Sequence, residues 1–163
     1  MKHASALALL FVATGCARQS VTPRQDSSAD PQPALTLQRT ACFGSCPVYR
    51  LSVSPAGVVT FEGTAHVRKL GTASGQVPPA RLDHLLRELD EAGYFSFADR
   101  YTSADPTCGR YVTDLPTVIT AVTLEGRTKR IEHDQGCGAA PDALVVLEQR
   151  IDEVLGSAQW TGR

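Results

Sequence analysis

A chain of 163 residues with 16 basic and 17 acidic side chains carries a formal charge of −1, too little of either sign to hold nucleic acid or an acidic membrane surface. The length suits one ordinary domain plus an extension, and no apolar run reaches the ~20 residues that span a bilayer as a helix.

Lys2 precedes an apolar run from Ala4 to Val12, and Ala13-Thr14-Gly15-Cys16 follows. A positive start, a short apolar core and a small residue before a cysteine predict an export signal and lipobox over 1–16, with Cys16 the lipidated residue. Gly15 suits that motif, whereas Ala13 is a poor version of the branched apolar residue it favours; the alternative is ordinary cleavage and a secreted or periplasmic soluble protein. Loss of Lys2 leaves 15 basic against 17 acidic residues, about −2. Ala17 rather than aspartate after Cys16 predicts an outer-membrane anchor facing the periplasm, the lipid being the link to the membrane. Residues 17–34 are Arg, Gln, Ser, Asp and Pro with almost no large apolar side chain, so they predict a disordered tether with a reach of about 25 Å. Residues 35–158 remain as a single domain.

Within it, Leu35 to Thr40 and Val48 to Val53 alternate apolar and polar, the pattern of half-buried strands. Ser54-Pro55-Ala56-Gly57 suits a type I turn with a glycine bulge, returning as a strand over Val58 to Glu62. A shorter strand is expected at His66 to Leu70. Pro78-Pro79 opens a helix whose Leu82, Leu85, Leu86 and Leu89 share a face, closed by Gly93, with Tyr94 to Phe97 capping the core. Val118 to Leu124 and Thr128 to Asp134 form a second hairpin around Glu125-Gly126, of open turn length. Pro141-Asp142 starts a last helix striped by Leu144, Leu147, Ile151 and Leu155, with Gly156 after it. Strands in antiparallel pairs, each set followed by a helix, predict an α+β fold: an antiparallel sheet of two hairpin units with two helices on one face.

Besides Cys16 there are four cysteines, Cys42, Cys46, Cys108 and Cys137. An even number in an exported domain reads as two disulfides with three possible connectivities. Cys108 precedes the second hairpin and Cys137 follows it, so both emerge at one end of that strand pair and favour a bond to each other, leaving Cys42 to rigidify the bend with Cys46. Cys42-Phe43-Gly44-Ser45-Cys46-Pro47 is also similar to the copper site of the Sco-type chaperones, which makes Cys42, Cys46 and His133 an alternative Cu(I) or thiol-redox set. In that family the motif opens a helix, whereas Pro47 here leads into a strand.

His84 lies opposite the leucine stripe and reads as solvated; His66 and His133, without a Glu or His at ligand spacing, read as surface or turn residues. Asp114 reads as a turn residue bonding backbone amides, or less readily as a general base with His133. Arg127, Lys129 and Arg130 crowd one strand, as solvated cations, an anion-binding patch or a guard against edge pairing. No carboxylate pair or nucleophile with its base is identifiable, and no cofactor is implied.

Taken together, Cys42 to Tyr49, Gly57 to Gly63, Ala92-Gly93-Tyr94-Phe95, Thr113 to Thr117, Gly126 to Lys129, and Pro141, Leu144, Leu147, Glu148, Ile151 and Asp152 resemble the bacterial lipoprotein family of domain of unknown function 6438. That resemblance implies a small exported domain, usually lipid-anchored, with no catalytic residues to carry over. The expected function is non-catalytic binding of a protein or polymer partner in the cell envelope.

Overall fold

The computed structural model describes residues 32–162; the predicted signal and lipobox with Cys16, and the tether as far as residue 31, lie outside them. The described chain is an α+β sandwich with seven strands in one sheet, in the order β4 (Gly71–Gln76), β3 (Val58–Ala65), β2 (Val48–Val53), β1 (Leu35–Arg39), β6 (Thr117–Leu124), β7 (Arg127–Asp134) and β5 (Arg100–Tyr101). The central strand β1 (Leu35–Arg39) pairs antiparallel with β2 (Val48–Val53) on one side and with β6 (Thr117–Leu124) on the other. It thereby joins the two hairpin units into one surface. β3 (Val58–Ala65) and β7 (Arg127–Asp134) extend the sheet outward, also antiparallel.

Alternation decides the faces. Leu35, Leu37, Leu51, Val53, Val59, Phe61, Val118, Val122 and Ile131 turn to one side, and each is at most 1 % exposed. Over that side lie α1 (Pro79–Glu91), through Leu82, Leu85, Leu86 and Leu89, and α2 (Asp142–Leu155), through Leu144, Leu147, Ile151, Val154 and Leu155. Each fully buried side chain of this size contributes roughly 1.5–3 kcal/mol, so the two leucine stripes fix the helices on the sheet.

The local signals act where the sequence places them. Gly57 takes φ +80 and its amide bonds the Ser54 carbonyl at 2.9 Å, the bulged turn expected there. Glu125 (φ 51) and Gly126 (φ 76) make a two-residue turn with both residues left-handed, which settles the register of β6 against β7 as Leu124 opposite Arg127. Gly93 and Gly156 are left-handed at the ends of α1 and α2.

The strand expected at His66 to Leu70 is not there. His66 turns out of the sheet at φ 53, and the next strand is β4 (Gly71–Gln76), paired with β3. Its Gly-Thr-Ala-Ser-Gly-Gln sequence carries almost no strand propensity, so its partners hold it rather than its own residues. One partner is tertiary: Trp160, on the short helix α3 (Ala158–Thr161), stacks on Phe61 with centroids 5.0 Å apart and lies so near Gly75 that a Cβ there would meet the indole at 3.0 Å. The two-residue β5 (Arg100–Tyr101), parallel to β7, was likewise not expected.

Trp160→Ala should therefore cost about 3 kcal/mol in denaturant unfolding and raise hydrogen exchange in β4 before any other strand. Unchanged β4 exchange would show that Trp160 does not hold that strand.

Candidate functional site

Strand direction brings three connections to one end of the sheet: residues 40–47 between β1 and β2, residues 109–116 leading into β6, and residues 135–141 between β7 and α2. They are laced together. The Phe43 amide donates to the Asp114 carbonyl (3.1 Å) and the Thr40 amide to the Thr117 carbonyl (3.0 Å), while the Thr117 amide bonds the Thr40 hydroxyl (2.8 Å). On the other side, the Val112 amide donates to the Gly136 carbonyl (2.9 Å) and the Gln135 amide to the Pro116 carbonyl (3.1 Å). Two covalent bonds close the set: Cys42 is joined to Cys46, with Cα atoms 5.7 Å apart, and Cys108 to Cys137 at 4.7 Å. This is the connectivity the hairpin geometry favoured. By the chain-entropy account the 29-residue separation of the second bond stabilises by about 3.6 kcal/mol and the short first loop by about 2. The long bond thus holds the fold, and the short one shapes the bend that carries Phe43.

The laced loops present apolar side chains to solvent. Phe43 is 88 % exposed, and Tyr111, Val112 and Leu115 are 42–48 % exposed. Beside them is a cleft of about 380 Å³ walled by Leu115, His133, Gln135, Ala140, Asp142 and Val145. The last two belong to the first turn of α2, whose cap, Pro141, makes no side-chain hydrogen bond.

Behind the cleft runs a polar seam between the sheet and α2. His133 Nδ1 lies 2.8 Å from Glu148 Oε1, their side chains 3 % and 2 % exposed, and the Tyr101 ring stands edge-on to the imidazole. The other carboxylate oxygen, Glu148 Oε2, is buried with no hydrogen-bond partner. One helical turn on, Asp152 accepts from Arg39 Nε at 2.7 Å and from the Tyr49 hydroxyl at 2.6 Å. Burial, then the adjacent Asp152 carboxylate, pushes the Tyr49 phenol far above its ordinary value. Burial alone would lower the Arg39 guanidinium, but Asp152, with Tyr49 and Glu148 in reach, holds it above its usual value. Tyr94, fully buried, bonds Thr120 Oγ1 at 2.7 Å, and burial pushes its phenol up as well.

The expected site residues separate accordingly. His133 is a buried, paired side chain and not a surface or turn residue, because alternation from Ile131 turns it inward. Cys42 and Cys46 are bonded to each other, and His133 gives Nδ1 to Glu148; among the described residues no three His, Cys, Asp or Glu side chains gather into a metal-binding group. Asp114 sits in a left-handed turn (φ 73), exposed, its carboxylate taking a hydrogen bond from Thr113 Oγ1 at 2.9 Å rather than from a backbone amide. His84 is solvated on α1 near Glu88, and His66 is exposed at the turn out of β3. The three cations of β7 clamp the preceding segment and their own strand: Arg127 pairs with Asp90 and lies over the Phe95 ring, Lys129 pairs with Asp99, and Arg130 pairs with Glu132.

Glu148, Asp152, Arg39 and Tyr49 were not singled out as functional from the sequence. The signal existed: Glu148 falls on the apolar stripe of α2 beside Leu144 and Ile151, where an acid must be paired or neutral.

The family model described as Domain of unknown function (DUF6438) matches residues 33–155, and the chain belongs to that family. No curated protein matches the chain.

Breaking a buried pair leaves an unmatched charge, whereas replacing both partners by apolar residues is often neutral. Glu148→Leu alone should cost about 3–5 kcal/mol of unfolding free energy, and the double variant His133→Leu/Glu148→Leu should recover most of that loss. A double variant as unstable as the single one would mean that the pair is needed for the fold itself.

Proposed function

We propose that this member of the family is an envelope lipoprotein, anchored through Cys16, that works as a non-catalytic binding domain with the laced loop end as its contact surface. The observation that carries this reading is where the exposed apolar side chains stand. Of the seven large apolar side chains exposed among the described residues, four, Phe43, Tyr111, Val112 and Leu115, lie on the segments that disulfides and backbone bonds lock together, while Val58, Leu70 and Val146 stand singly elsewhere. Exposed apolar groups cost solubility and add nothing to the core; held rigid, they lower the ordering cost of binding.

Topology supports the orientation. β1 enters the sheet at Leu35, opposite Val53 and Val122, and reaches the laced end only at Arg39. A tether joined before Leu35 therefore leaves from the far end of the domain, and the apolar loops face away from the point of attachment. No helix among the described residues is long and apolar enough to cross a membrane, which leaves anchoring to the lipid in this reading. Aromatic and aliphatic anchors around a cleft suit a protein partner better than a polar polymer. The copper or thiol-redox alternative needs Cys42 and Cys46 as free thiolates, and their bond to each other weighs against it.

In cross-linking capture from envelope extracts, the double variant Phe43→Ser/Leu115→Ser should lose at least about tenfold of whatever the parent chain retains, equivalent to ~1.4 kcal/mol. Val58→Ser, which removes an exposed apolar side chain from the opposite end, should lose nothing. Equal losses from both, or none from either, would overturn the assignment of the surface.

A further inference from the structure

The two edges of the sheet are finished differently. At one edge β7 is covered in part by the two-residue β5, and the rest of it carries Arg127, Lys129 and Arg130. A short strand and a row of cations are devices that keep an edge from pairing with another chain. The other edge, β4, has neither. It runs for six residues with no charged side chain, no proline and no break in its register against β3.

Hydrogen bonding fixes which groups β4 leaves open. The Val77 amide donates to the Gly57 carbonyl at 2.9 Å, and antiparallel pairing alternates from there, so Gly75 and Ala73 spend their backbone groups on β3. Thr72, Ser74 and Gln76 point theirs outward. All three residues are exposed, and their backbone amides and carbonyls bond nothing among the described residues. Their side chains lie on the sheet face away from the helices, since Thr72 stands beside the exposed Glu62 whereas Ala73 stands beside the buried Phe61. Leu70, 62 % exposed, precedes the strand.

We infer that β4 is a self-association edge, and that two copies of this chain pair β4 to β4, antiparallel about a two-fold axis, to join their sheets. A row of outward amides and carbonyls accepts an extended backbone, and this strand is complementary to itself. Only the outward residues can exchange bonds across the join. Ser74 opposite Ser74, with Thr72 opposite Gln76, uses all three on each chain, whereas a slip of two residues either way leaves one of them unpaired. No like charges from β4 meet, and the register brings the exposed Leu70 level with the exposed Pro78 of the other copy. A two-fold pairing closes on itself, so it stops at the dimer.

The inference goes beyond the binding-domain reading and does not rest on it. The copies run in opposite directions, so each end of the dimer carries one laced loop cluster, and both clusters stay uncovered. With the strands lying along a membrane, a tether from either end reaches it. Edge bonds without a wide apolar interface make a weak dimer, and trapping reads it better than affinity does.

The test is mild oxidation of single-cysteine variants of the purified full-length chain at millimolar concentration, read by non-reducing electrophoresis. Both native disulfides are kept, in a Cys16→Ser background that leaves the introduced cysteine as the sole free thiol. Ser74→Cys should give a covalent dimer in at least ~tenfold the yield of Arg81→Cys, at an exposed position on α1. Thr72→Cys and Gln76→Cys should each stay monomeric alone and cross-link when mixed. Ser74→Pro removes an outward amide that β3 does not use, so it should abolish the dimer seen by sedimentation. The fluorescence of Trp160, the single tryptophan, should stay unchanged in that variant and show β4 still in place. Ser74→Cys no better linked than Arg81→Cys, Thr72→Cys linking alone as readily as Ser74→Cys, or a parent chain monomeric at every concentration would each overturn the inference and leave the edge to a strand of another protein.

Discussion

The fastening of three loops at one end of the sheet is the constraint on which the functional reading rests. Loops this exposed would ordinarily be the most mobile parts of a domain and poor places to keep a defined surface. Here the 40–47 bend is closed on itself by Cys42 and Cys46 and bonded to the 109–116 segment through Phe43 and Asp114, while Cys108 and Cys137 tie that segment to the approach of α2. At the opposite end of the sheet, where β1 begins, the two hairpins close in tight turns at Gly57 and Gly126, with no disulfide among the described residues there. Covalent reinforcement is placed where four exposed apolar side chains, Phe43, Tyr111, Val112 and Leu115, stand together.

Beneath those loops, α2 is attached to the sheet by more than its leucine stripe. Asp152 draws Arg39 of β1 and Tyr49 of β2 to one carboxylate, and Glu148 reaches His133 of β7, so a single helix makes polar contacts with three strands drawn from both hairpin units. Directional bonds of this kind specify one position of a helix that apolar contact alone would let slide, because each donor must find its own acceptor. The cleft lies between this fixed helix and the fixed loops, which makes it a preformed cavity rather than one assembled on binding.

Much of this was legible in the sequence because it rests on local rules. Period-two alternation placed β2 correctly at Val48–Val53, glycines marked the ends of both long helices, and the hairpin around Glu125-Gly126 brought Cys108 to Cys137. What escaped was tertiary. β4 is a strand because β3 and Trp160 make it one, not because Gly-Thr-Ala-Ser-Gly-Gln prefers to be extended. His133 and Glu148 are 15 residues apart on different element types, and no spacing rule pairs them. Each carried half a signal, a histidine two places from an isoleucine on a strand and an acid within a leucine stripe, and only the packing of α2 on β7 joins the halves.

Native-state hydrogen exchange before and after selective reduction of the cysteines tests the fastening most directly. Reduction should strip protection from the Phe43, Val112 and Gln135 amides, while the amides that pair β1 with β2 and β6 keep theirs. If those three amides exchange at the same rate with the sulfurs bonded or reduced, the loops hold themselves and the disulfides do not define the surface.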